Sequence, residues 1–220
     1  MNSSPLMAIP HWAPWNDCQQ TCLRFLTDGP FAVSQRRLVG YLLRRGYAKS
    51  TVRRCVARLA RTGWITLLHE HVLTEIPSRR QPQVVLSPDQ LANFDVRRAR
   101  TIRRHACRLR GTTHQIVAAS KQTANLFGCQ PYQTRTLEER QQRFVFSHIL
   151  LASDQRQPMT DWQWVVPFGE NQLGESHIDG LQVESDSHSR LLGALSVQSI
   201  RSLERLVQTA VTKQLFLELW

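Results

Sequence analysis

Lys49, Ser50, Thr51, Arg53, Arg54, Arg58 and Arg61 fall within thirteen consecutive residues, and five of the seven are cations. The chemistry open to such a set is recognition of anions. Guanidinium forks match phosphate oxygens and the O6/N7 edge of guanine in pairs, and hydroxyls donate to phosphate. Wound as a helix at 100° per residue, Ser50, Arg54, Ala57 and Arg61 share one side, with Arg53 and Arg58 flanking it. Val52, Cys55, Val56 and Leu59 gather on the other side. An apolar stripe with an arginine-rich back, closed by Gly63, is the pattern of a helix that packs on its own domain and presents cations to a DNA groove.

Such a helix needs a frame. Cys18, Cys22, Phe25 and Leu26 at helical spacing predict a first helix over Asp17–Thr27, stopped by Asp28-Gly29-Pro30. Ser34 caps a second, with Leu38, Tyr41 and Leu42 inward and Gly46 at its end. Residues 64–68 and 83–86 read as two strands around a polar loop that holds Arg79 and Arg80. Helix, helix, recognition helix and hairpin is the winged helix-turn-helix order, in which Arg79 and Arg80 add backbone contacts from the wing.

Ser87-Pro88-Asp89-Gln90 carries a capping box with proline at the first helical position, and predicts a helix running to about Leu109. Seven arginines crowd residues 97–110 with only Asp95 near them, so Arg97, Arg100 and Arg104 read as a second phosphate-gripping surface. Both basic surfaces lie within residues 1–110, which are therefore expected to bind duplex DNA alone.

Charge separates along the chain. Residues 1–120 carry 19 Lys+Arg against 6 Asp+Glu, and residues 121–220 carry 9 against 11. Three Lys stand against 25 Arg, a choice that suits bidentate contact and that a GC-rich genome also produces. Five cysteines with no CxxC pair suggest neither a disulfide scaffold nor a zinc ribbon; Cys18 and Cys22 read as helix packing rather than as metal ligands with His69 and His71. No apolar run approaches 18 residues, and the first 15 lack the layout of a signal peptide, so a cytoplasmic protein without a membrane partner is expected.

Residues 113–127 and 137–152 read as helices, and 161–166, 177–184 and 191–197 as strands. From Ile200 an amphipathic helix is expected to reach the terminus, where Phe216, Leu217, Leu219 and Trp220 form an apolar end suited to a partner protein or a second copy. The fold class expected is α+β: a winged helix over residues 1–87, a basic helical linker over 88–136 and a small mixed α/β domain over 137–220.

Over most of residues 17–217 the chain resembles the replication-relaxation family of plasmid and mobile-element proteins, which includes plasmid-mobilisation relaxases. Ala48-Lys49-Ser50-Thr51-Val52-Arg53-Arg54-Cys55-Val56-Ala57-Arg58-Leu59 with Gly63-Trp64-Ile65 resembles its recognition helix and following strand. Thr113-His114-Gln115-Ile116-Val117 resembles a helix start that carries a histidine, and His177-Ile178-Asp179-Gly180-Leu181 its Arg-Pro-Asp strand start. The segment from Leu192 to Leu203 resembles its strand-to-helix passage. The resemblance implies a second domain related to restriction-endonuclease-like nucleases, which use carboxylates to hold Mg²⁺.

Here the chain departs from the family. Ser196 and Gln198 stand where the resemblance places acids, and the only lysine beyond Lys121, Lys213, does not follow an acid by two residues. Neither a hydroxyl nor an amide supplies the charge that holds Mg²⁺. A duplex-DNA-binding protein of plasmid, conjugative or transposon type, with no cofactor, is therefore the leading expectation. The alternatives are a Mg²⁺-dependent nicking enzyme using Asp179, Glu184 and Glu139, and a dimeric transcription repressor. Of the tyrosines, Tyr132 is the one candidate for a relaxase nucleophile.

Overall fold

In chain order the elements are α1 (Asp17–Thr27), β1 (Ala32–Ser34), α2 (Gln35–Arg44), α3 (Lys49–Arg61), β2 (Ile65–Val72), β3 (Val84–Leu86), α4 (Pro88–Leu91) and β4 (Thr112–Ala119). There follow α5 (Lys121–Leu126), α6 (Leu137–Arg156), β5 (Asp161–Val165), β6 (Gly180–Glu184), β7 (Ser189–Gly193), α7 (Ile200–Lys213) and β8 (Phe216–Leu219). The structure, a computed structural model, describes residues 15–27, 32–72, 81–95, 112–129, 131–132, 135–156, 161–165, 179–185, 188–195 and 199–220. The fold class is α+β, and no helix among the described residues is long and apolar enough to cross a membrane.

The chain forms two compact units, each built from two separate stretches. One comprises Met1–His71 with Thr113–Ser147, the other Val72–Thr112 with His148–Trp220. In the first unit the three helices expected before Gly63 form where their periodicity and stop signals place them. Gly46 (φ +90°) and Gly63 (φ +76°) take the left-handed conformation that closes α2 and α3, a geometry that penalises any residue with a Cβ. Tyr47 ties the turn between α2 and α3 to α1: its hydroxyl donates to Asp17 and bonds Thr21, each at 2.8 Å. Cys18, Cys22, Leu23 and Leu26 of α1, Leu38 and Leu42 of α2, and Val52, Cys55, Val56 and Leu59 of α3 are all buried together.

The wing expected from residues 64–68 and 83–86 does not form. The sheet of the first unit runs β1-β4-β2, so β2 pairs with β4 rather than β3. At one end the Ser120 N–H donates to the Trp64 carbonyl (3.1 Å), and at the other His71 bonds Thr113 (3.4 Å); β2 and β4 therefore run antiparallel. β4 replaces the first half of the helix expected over 113–127. As the central strand it buries Ile116, Val117, Ala118 and Ala119 in succession. A strand covered on both faces loses its alternation and cannot be told from a buried helix by periodicity.

The second unit holds a five-stranded sheet in the order β3-β8-β7-β6-β5. β5, β6 and β7 form an antiparallel meander, α7 crosses over, and β8 returns parallel to β7 with β3 antiparallel outside it. On one face Leu191, Leu217 and Leu219 pack with Leu203, Leu206 and Ala210 of α7 and with Leu91 of α4. Register puts Leu181, Val183, Arg190, Leu192 and Glu218 on the other face. There Glu218 accepts from Arg190 (3.2 Å) and from Arg156 of α6.

Two further expectations are corrected here. The helix from Ser87 makes its capping box (Ser87 N–H to Gln90 Oε1, 3.1 Å) but stops at Leu91, and residues 96–111 lie outside the described ones. The C-terminal helix stops at Lys213; Gln214 turns left-handed (φ 52°) and the chain re-enters the sheet as β8. Its Leu217, Leu219 and Trp220 are buried within the unit, so the apolar end is not a free docking tail. Domain boundaries at 87 and 136 accordingly give way to interleaved units, because β3 needs β8 and β2 needs β4.

Deleting residues 216–220 removes a strand hydrogen-bonded on both sides. Circular dichroism and limited proteolysis should show loss of the second unit's cooperative unfolding, not merely a weaker self-association. A fragment of residues 1–110 lacks β4 and should likewise fail to give a cooperative melt.

Candidate nucleic-acid interface

α3 displays its cations as the sequence predicts. Lys49, Ser50, Arg53, Arg54, Arg58 and Arg61 are exposed and Thr51 is half-buried, while Ala57 opens a shallow point on the same side. Arg54 Nε makes only a long bond to the Ser50 carbonyl (3.4 Å). No ion pair among the described residues involves a cation of α3. Five like charges held without counter-charge are stable on a solvated surface and favourable against a polyanion, whose condensed cations they displace.

Behind α3 the anchoring is neutral. Cys55 lies between Cys18 and Cys22 in the buried core. Burial, with Cys55 alongside, pushes the Cys18 thiol up to about 12, and hydrogen bonding to Cys22 with burial pushes Cys55 higher still. These thiols stay protonated and act as small apolar groups. His69 and His71 are exposed on β2, and among the described residues no group of three or more His, Cys, Asp or Glu could hold a metal ion.

The other DNA-contact candidates, Arg79, Arg80, Arg97, Arg100 and Arg104, lie outside the described residues, as do Ser196 and Gln198. The three acids of the enzyme alternative are described, and within the second unit Asp179 and Glu184 do not converge. Asp179, 2% exposed, sits just before β6. Both its oxygens are occupied: Arg205 Nε and Nη2 donate at 2.8 and 2.7 Å, and the Ser202 hydroxyl donates at 2.6 Å. Glu184 is exposed at the far end of β6, paired in register with Asp161. Five residues of strand separate it from Asp179, about 16 Å at the usual rise. Glu139 belongs to the other unit and caps α6, accepting from the Thr136 N–H (3.0 Å) and hydroxyl (3.2 Å).

This donor set does not fit Mg²⁺. The ion requires free carboxylate oxygens in an octahedral shell, and the one buried carboxylate is already neutralised by a bidentate guanidinium. Tyr132 also leaves the candidate list. It is 1% exposed, its hydroxyl donates to Glu70 (2.5 Å), and burial followed by that carboxylate raises its pKa, the reverse of what a nucleophilic phenolate requires.

Sequence reasoning missed the partners that settle these roles. Ser202 and Arg205 stand three apart on α7, where a helix aligns them toward one point, yet nothing local marks Asp179 as their target. Asn16 and Gln19 form a reciprocal cap on α1, legible as Asn-x-x-Gln before an apolar run. Comparison with models of known families, with curated proteins and with solved structures finds no match to this chain.

Arg205→Ala should strip the buried Asp179 carboxylate of its bidentate guanidinium. Because the guanidinium is partly exposed, the cost is at the lower end for a broken buried pair, about 3 kcal/mol in urea unfolding. Asp179→Asn, which keeps an acceptor for Ser202 and removes the buried charge, should cost less.

Proposed function

We propose that this protein binds double-stranded DNA through α3, and that its second unit assembles other proteins or copies on the DNA without cutting it. The observation that carries the reading is the row of exposed cations on α3, which have no ion-pair partner among the described residues and are fixed to a buried three-helix core. The element order supports a winged helix-turn-helix: three helices, with β4 in the place of the last strand and the chain containing β3 and α4 inserted between the hairpin's two strands. In such a unit the third helix enters the major groove.

The second unit's plan is an antiparallel meander, a crossing helix and a parallel strand. It supports the restriction-endonuclease-like scaffold implied by the resemblance to plasmid and mobile-element proteins. Its chemistry does not follow with the scaffold, since Asp179 is clamped by Arg205. A non-cutting role in mobilisation, transposition or replication is therefore the better account of that unit.

Fluorescence anisotropy with the intact chain and duplex oligonucleotides, titrated at several KCl concentrations, tests the proposal. With five exposed cations the log–log slope should reach about −3 to −4.5, near −0.9 per phosphate contacted. Arg54→Ala or Arg61→Ala should weaken binding by about 1–3 kcal/mol where the side chain meets a base edge, and relax preference at that position. Absence of binding, or affinity indifferent to salt, would sink the proposal.

A further inference from the structure

Between the first turn of α1 and the arginine side of α3 lies an open cleft of about 560 Å³, walled by Arg54, Arg58 and Arg61 on one side and Asn16 and Gln19 on the other. The arginines stand at i, i+4 and i+7, so their stems are spread over about 10 Å of one helix side. The two amides narrow the ligand chemistry. Asn16 Oδ1 accepts the Gln19 N–H and Gln19 Oε1 accepts the Asn16 N–H, each at 3.0 Å. Each amide oxygen is thus turned into the cap of α1, which leaves the NH₂ groups as the side chains' donors toward a ligand. Gln19 is itself 2% exposed, so its side chain is held rather than swinging in solvent.

Cys55 and Ala57 complete the lining with a protonated thiol and a methyl, and Thr51 adds a hydroxyl. Among the described residues no carboxylate lines the cleft. Arginines four apart on a helix repel one another, and an anion spanning them relieves that repulsion. The volume falls in the range of small-molecule pockets and exceeds that of a single phosphate.

We propose that this cleft is a phosphate seat: it binds a polyphosphate chain or phosphate ester against Arg54, Arg58 and Arg61, with the Asn16 and Gln19 amides donating from the facing side. A free polyphosphate and the backbone of duplex DNA then compete for the same donors. The competition rests on the DNA reading of α3; the seat itself does not.

The test uses the intact chain and inorganic triphosphate, followed by calorimetry and by displacement of a fluorescent duplex at fixed ionic strength. Gln19→Glu keeps the acceptor for the Asn16 N–H and sets a carboxylate among the arginines. Arg24→Ala, on the exposed side of α1, makes the same change in net charge away from the cleft. Wild type should bind one triphosphate and release duplex. Gln19→Glu should lose tenfold or more in triphosphate affinity, roughly the loss of one charge-assisted contact, and Arg24→Ala less than about twofold. Asn16→Asp repeats the logic should Gln19→Glu melt early. Duplex binding without triphosphate binding, or equal loss in the Gln19 and Arg24 variants, overturns the seat and leaves the DNA reading intact. Triphosphate binding without duplex binding keeps the seat and overturns the DNA reading.

Discussion

The surface of α3 depends on the pairing of β4 with strands on both its sides. Ala32, Val33 and Ser34 pair with Ala118, Val117 and Ile116 along one edge, and β2 runs along the other. A central strand must satisfy its backbone groups in both directions, so β4 fixes the spacing between the strand that enters α2 and the strand that leaves α3. Trp64 marks the junction. Its carbonyl accepts from the Ser120 N–H and the Thr123 hydroxyl. Trp15 packs edge-on against its ring at 4.8 Å and stacks on Phe127 at 6.1 Å. The C-terminal end of α3 is therefore anchored by residues distant in the chain, and Tyr47 anchors its approach from the other end.

Arginine serves opposite purposes in the two units. Arg190, 1% exposed, shares Glu218 with Arg156, and Arg205 closes on Asp179. Removing a guanidinium and a carboxylate from water is repaid only by close pairing, so Arg190, Glu218 and Asp179 are fixed parts of the interior, with the half-buried Arg156 and Arg205 closing on them from its edge. The arginines of α3 keep their hydration and lack a carboxylate partner among the described residues. Exposed cations of this kind contribute to affinity and association rate only where an anionic ligand desolvates them.

How much could be read from the sequence follows from how each residue's environment was specified. α3 was legible because four apolar positions on one side and arginines on the other give an unambiguous 3.6-residue period, and Gly63 supplies the stop. β4 and β8 were not, because strands inside a sheet and covered on both faces show a plain apolar run. In β8 the run also continued the stripe of α7 through Leu215, and only Gln214 in the left-handed region separates helix from strand. Of the site, the α3 residues were evident from type and spacing. The Asp179 clamp was hidden because Arg205 lies 26 residues away and pairing at that separation leaves no local trace.

Interleaving also changes what the charge asymmetry means. Read along the chain, the first 120 residues are basic and the remainder slightly acidic; read by folded unit, the division is different. The unit containing α3 has 14 Lys+Arg against 5 Asp+Glu, and the other has 14 against 12. Within the latter, the stretch 72–112 contributes 9 cations against 3 acids, and 148–220 contributes 5 against 9. The arginine-rich segment therefore belongs to a unit whose remaining acids nearly balance it. Strong net positive charge is left only on the unit that also presents α3. A surface that must attract a polyanion gains most when its own domain does not neutralise it, and in this chain that condition is met by α3 and not by the arginine run, although the run has the higher cation density in sequence.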